Sequence, residues 1–148
     1  MQLHVDDAGF VRAPAPLVYR RLTHVAAWPG WWRGTRVREL ERTDTDEAFA
    51  IEFVGARGRR LRYEIRAHGW RHEHGFLLAI SGDVVGAAEF WLEPTHGGTV
   101  VHHLLVATTS WPRPVRVLTD HRLAIRRGLW GLKDAVQLEA RTSIGLVP

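Results

Sequence analysis

The sequence predicts an α+β fold: a curved antiparallel sheet of six to seven strands wrapped around a long C-terminal helix, with two short helices after the first strand. Three features carry that expectation. Apolar residues recur at spacings of three and four beyond Val115, and they alternate at a spacing of two between Thr35 and Thr109. Turn-forming clusters rich in glycine, proline and aspartate separate the alternating runs.

Taken in order, Leu3 to Val11 alternates loosely and ends in Arg12-Ala13-Pro14-Ala15-Pro16, a strand running into a turn. The prolines then open a helix, Leu17 to Thr23, with Leu17, Val18 and Leu22 along one edge. Val25 to Trp32 reads as a second short helix broken at Pro29-Gly30, and it places Trp28, Trp31 and Trp32 together. Rings in such a cluster either plug a corner or rim an apolar pocket, half wet and half buried. Thr35 to Arg42 is the next strand, and Thr43 to Asp46 turns the chain. Phe49, Ile51 and Phe53 form one face of a strand, and Leu61, Tyr63, Ile65 and Ala67 one face of the next, with Gly55 to Gly58 between them. Gly69 to Gly75 is expected to turn, Phe76 to Ser81 to run back, and Gly82-Asp83 to turn again. Ala88, Phe90 and Leu92 oppose Glu89 and Glu93; Pro94 to Gly98 is the following turn, and Thr99 to Thr109 the last strand.

From Pro114 to Arg141, Leu118, His121, Ile125, Leu129, Leu132 and Val136 fall on one stripe of a helix. About 25 residues at 1.5 Å each give a rod of about 38 Å, which needs a broad apolar surface to lie against. Gly128 and Gly131 are expected to weaken it, each by about 1 kcal/mol relative to alanine. Consecutive hairpins give an antiparallel sheet. Twist curls such a sheet, and the helix is the element able to cover its concave side, leaving an internal cavity.

The 148 residues are 45% hydrophobic and 24% charged, which suits one globular domain spanning 1–148. The net charge is +4, but the arginines alternate with apolar residues as on the wet face of a strand, so a nucleic-acid partner is not expected. The chain has no cysteine, and Met1 to Asp7 lacks the basic start and apolar run of a signal peptide, so a cytoplasmic location is expected. No run approaches 18 apolar residues, so no membrane span is expected. Walker, GxSxG, HExxH and dinucleotide motifs are missing, and with them any implied cofactor. His68, His72 and His74 lie together without a carboxylate triad or a fixed helical i, i+4 pair, and His102 and His103 face opposite sides of a strand, so no metal site is expected.

Ala13-Pro14-Ala15-Pro16-Leu17-Val18-Tyr19 and Trp28-Pro29-Gly30-Trp31-Trp32 occur in that order. They are followed by Gly82-Asp83-Val84-Val85-Gly86 with Phe90 and Leu92, by Gly97-Gly98-Thr99-Val100-Val101, and by Arg116 to Leu132 with His121 and Gly128. In order and spacing these motifs resemble the SRPBCC superfamily. That is the helix-grip fold of START lipid-transfer domains, pollen-allergen-like proteins and polyketide cyclases/dehydratases.

The resemblance implies a cavity lined by Val37, Phe49, Ile51, Phe53, Tyr63, Ile65, Phe90, Leu92, Val101, Leu105, Ile125 and Leu129. The Trp28–Trp32 corner would stand at its mouth or adjoining wall. A small hydrophobic ligand, aromatic or an acyl chain, would occupy it. Tyr63, His103 and His121 share those inward faces by strand parity or helix stripe. They can serve as hydrogen-bonded core groups, as ligand-orienting groups, or as acid and base in a cyclase/dehydratase-type enzyme. Glu39 shares the parity of Val37 and is expected to point inward unless a bulge intervenes. Trp91, Val100, Leu104 and Val106 fall on the outward parity beside His102. An apolar strip there implies a covering loop or a homodimer.

Overall fold

Alternation along the strands decides which side of the sheet is dry. In β4 (Arg60–Arg71), Leu61, Tyr63, Ile65 and Ala67 are buried while Arg62 and Glu64 are exposed. In β7 (Gly98–Thr108), Val101, His103, Leu105 and Ala107 are buried in the same way. The computed structural model describes residues 2–143. The remaining elements are β1 (Gln2–Val11), α1 (Ala15–Thr23), a 3-10 helix (Val25–Gly30), β2 (Arg36–Arg42), β3 (Glu47–Val54), a 3-10 turn (Ala56–Gly58), β5 (Gly75–Gly82), β6 (Val85–Thr95) and α2 (Pro114–Ser143). No helix among the described residues is long and apolar enough to cross a membrane.

The seven strands form one antiparallel sheet in the order β1-β7-β6-β5-β4-β3-β2. Every neighbouring pair from β2 to β7 is a hairpin, and β1 closes the far side against β7. Helix α2 lies along the concave side, against β1, β3 and β4, and α1 packs on it. Polar contacts fix this arrangement. Glu139 receives Arg20 and Arg21 at 2.7 and 3.0 Å, joining α1 to the end of α2. The Arg12 amide donates to Gln137 Oε1 at 2.9 Å, and Thr99 Oγ1 donates to the Ala13 carbonyl at 2.8 Å.

Several expectations are corrected in detail. The hairpin between β4 and β5 is tighter than the Gly69–Gly75 turn expected, because β4 continues to Arg71. Pro94 lies inside β6 rather than in the turn, near the strand's end, opposite Thr99, where a missing donor does little harm. On α2 the buried stripe is Val117, Asp120, His121, Ala124, Ile125, Gly128, Leu132 and Val136; Leu118 and Leu129 are half-buried at its side. The stripe turns because Trp31 and Trp32 press against Gly128 and Gly131. The smallest residues of the helix, not its leucines, therefore face the tryptophan corner.

Candidate functional site

Three elements bring three titratable side chains together. Strand parity turns Tyr63 of β4 and His103 of β7 inward, and the stripe of α2 presents His121 between them. Tyr63 Oη lies 2.8 Å from His121 Nδ1, and His121 Nε2 lies 3.1 Å from His103 Nε2. All three side chains are buried.

Burial sets their protonation. It pushes the Tyr63 phenol well above its ordinary range, helped by the negative charges of Asp83 and Asp120. It lowers His121 to about 4. His103 is pushed down by burial and by its neighbour His121, although the Glu89 backbone works in the opposite direction. At neutral pH all three groups are uncharged. A neutral imidazole has one donor and one acceptor nitrogen, which limits the proton arrangement. When Tyr63 donates to His121 Nδ1, His121 donates through Nε2 to His103 Nε2, and the His103 proton resides on Nδ1. That Nδ1 is buried and has no well-formed hydrogen bond. The Glu89 backbone lies near enough to favour a protonated His103 without closing the chain.

Aromatic rings surround this relay. Trp28 and Trp32 have centroids 5.0 Å apart, Trp32 and Phe53 4.7 Å, and Phe53 and Tyr63 5.6 Å. On the other side, His103 meets Phe90 at 4.6 Å, and Phe90 meets Phe76 at 5.7 Å. Trp32 is fixed to α2 by its indole N–H, which donates to the Ala124 carbonyl at 2.9 Å. Trp28 donates to the Leu22 carbonyl at the same distance.

Of the expected lining, Trp28, Trp32, Phe49, Ile51, Phe53, Tyr63, Ile65, Phe90, Leu92, Val101, His103, Leu105, His121 and Ile125 are buried together in the interior. Trp31 is half-buried at the corner. Two positions are corrected. Val37 is only half-buried, because β2 is an edge strand whose side chains are otherwise exposed. Leu129 is half-buried at the edge of the core, where it lies over Gly9 and lines a groove between β1 and α2. Glu39 is exposed and pairs with Arg42 at 3.2 Å; the register of β2 shifts just after it.

These side chains pack against one another in one cluster, and pockets open on the surface as well. One of about 680 Å³ lies between the start of α1 and the β6–β7 turn. Another, of about 550 Å³, lies on the outward face of β2 to β5, flanked by Arg36, Arg38, Glu52 and Arg62.

Sequence reasoning missed Asp120. Its carboxylate is fully buried and accepts from Arg59 Nε and Nη2, both at 3.0 Å, and from the Ala56 amide at 2.9 Å, so it ties the β3–β4 connection to α2. A carboxylate one residue from His121 on an otherwise apolar stripe was the available signal. Among the described residues no three histidine or carboxylate side chains converge as metal ligands; His72 instead lies edge-on to Tyr19.

A curved seven-stranded antiparallel sheet, two short helices after its first strand and a long C-terminal helix in its grip make up the helix-grip fold. The chain has that fold, as the motif resemblance implied. No protein-family model matches the sequence, and no curated protein matches it. Solved structures do match. TTHA0849 from Thermus thermophilus superimposes with a TM-score of 0.75 at 17% identity, over 95% of this chain and 99% of that one. The Zhui aromatase/cyclase from Streptomyces sp. R1128 gives 0.70 at 18% identity, over 97% and 96%. The di-domain ARO/CYC BexL from the BE-7585A biosynthetic pathway gives 0.73 at 17%, over 92% of this chain and 50% of BexL. The chain thus spans about half the length of that di-domain protein. At these identities the likeness is one of fold.

Proposed function

We propose that the protein binds a small hydrophobic molecule, aromatic or an acyl chain, between the sheet and α2, where Tyr63, His121 and His103 meet its polar group. The observation that carries this reading is His103 Nδ1, buried among aromatic rings with only a poorly aligned Glu89 backbone acceptor beside it. A buried polar group left so weakly bonded costs up to about 1–3 kcal/mol. An uncharged acceptor on a bound molecule, such as a carbonyl oxygen, relieves that cost while the rings take the apolar remainder. Room for it requires rings to move, and Trp31, half-buried just after a short 3-10 helix, is the one suited to moving.

A second reading, a cyclase/dehydratase-type enzyme, is favoured by the Tyr63–His121 pair. Their 2.8 Å contact sets a phenol proton against an imidazole nitrogen, the geometry of an acid/base pair, although burial makes His121 a weaker base and Tyr63 a weaker acid than in water. Two proteins with the same fold, Zhui and BexL, are an aromatase/cyclase and an ARO/CYC, which lends this reading support.

Titration with an apolar fluorescent ketone tests the first reading. The wild type takes it up, and His103→Phe binds it severalfold more weakly; a wild type that takes up none refutes the proposal. The second reading expects Tyr63→Phe to keep its substrate affinity and lose about a hundredfold in turnover.

A further inference from the structure

We propose that the outward face of β5, β6, β7 and β1 docks a second copy of this chain. This surface is separate from the interior site and does not depend on the ligand reading. Of the eight large hydrophobic residues exposed in the described chain, four lie on it: Phe10, Leu77, Val85 and Val106. Strand register gathers them. Phe10 stands beside Val100, Val106 beside Ala87, and Leu77 beside Glu89, whose other neighbour is Leu104. The outward face of a sheet with nothing over it is normally polar, so an apolar area of this kind marks a contact surface.

The polar side chains at its centre already have partners. Arg71 pairs with Glu89, and His102 Nε2 lies 2.9 Å from Glu93 Oε1. Trp91 lies flat on His102, with planes 7° apart and centroids 4.6 Å apart, so its indole levels the surface instead of projecting from it. Asp6 and His4 lie on β1, the outermost strand, and form the rim, where polar groups remain wet. Docking therefore leaves each of these side chains with the partner it already has, so covering them strands none of them alone.

Size favours a second sheet as the occupant. Four strands about 4.8 Å apart and roughly nine residues long at about 3.3 Å each span about 19 by 30 Å, or roughly 570 Å². Two copies bury about 1,100 Å² in total, above most crystal contacts and at the lower edge of stable interfaces. Two such faces pack about 10 Å apart, as in a β-sandwich. The expected assembly is a reversible dimer with a micromolar dissociation constant.

Sedimentation velocity from low-micromolar to near-millimolar concentration tests this. The wild type should shift from monomer to twice the monomer mass as concentration rises. Val106→Arg, at a position 38% exposed and pointing outward, should keep the fold by circular dichroism and weaken association about tenfold or more. Val85→Arg, at a position 56% exposed, repeats the test if the first variant misfolds. Leu138→Arg, on the exposed side of α2, should leave association unchanged. A wild type that stays monomeric throughout overturns the proposal. So does association that survives at both sheet positions, or that is lost in Leu138→Arg, because the contact then lies elsewhere or involves another partner.

Discussion

Replacing Gly128 or Gly131 with alanine sets two effects of opposite sign against each other. Helix propensity alone favours alanine by about 1 kcal/mol at each position, so both variants would melt higher than the wild type. Packing predicts the reverse. A methyl group at Gly128 would sit 2.6 Å from Trp32 Cζ2, and one at Gly131 would overlap the Trp31 carbonyl oxygen. Neither obstacle yields cheaply. Trp32 is enclosed by Phe53, Trp28 and Trp31 and bonded to the Ala124 carbonyl, and the Trp31 oxygen belongs to the main chain. Overpacking of this kind costs typically 1–3 kcal/mol and occasionally more. A main-chain obstacle belongs at the upper end, so the steric term outweighs propensity. The expected net loss is up to about 2 kcal/mol for Gly128→Ala and more for Gly131→Ala. For a chain of this length, about 3 °C per kcal/mol gives a fall in Tm of up to roughly 6 °C for the first. Differential scanning calorimetry measures it. Gly30→Ala is the control, since nothing lies within 4 Å of its added methyl, and it should change stability by less than about 0.5 kcal/mol. If both helix variants melt higher than the wild type, the account of the tryptophan corner is wrong.

Acid should weaken the fold through the buried histidines. Their folded pKa values lie below the ordinary 6.5, so the stability they confer is complete above that value and is lost as pH falls towards the folded value, about 4 for His121. Each contributes a slope of up to about 1.4 kcal/mol per pH unit. Urea midpoints from pH 7 to 5 should therefore fall, and fall less steeply in His103→Gln; a flat wild-type profile contradicts neutral burial. Thr99→Val removes a fully buried hydroxyl that donates to the Ala13 carbonyl, and should cost about 1–2 kcal/mol in urea denaturation. Thr119→Val, whose exposed hydroxyl bonds only within its own helix, should stay within about 0.5 kcal/mol.

The sheet was legible because one face is wet, which enforces a strict alternation along β3, β4 and β7. The same alternation identified Tyr63 and His103 as inward, and the α2 period identified His121. That the three touch was not legible. Contact depends on how high each sits, which the pairing of β4 with β5 and of β6 with β7 fixes across long sequence separations. Asp120 was missed because its partner Arg59 is 61 residues away and its burial depends on that pairing. The stripe of α2 was misjudged at Leu118 and Leu129 because hydrophobicity gives little weight to Ala124 and Gly128, whose value lies in their small size. Val37 went astray for another reason: parity does not show that β2 is an edge strand or that its register shifts beyond Glu39.

Native mass spectrometry of gently purified protein, followed by organic extraction, tests the proposed binding most directly. The account predicts a co-purifying adduct of small-molecule mass that extraction removes and that Trp32→Ala or His103→Phe depletes. A clean protein mass, together with failure to take up an apolar dye, would mean that the aromatic interior is packed for stability alone and would contradict the binding reading.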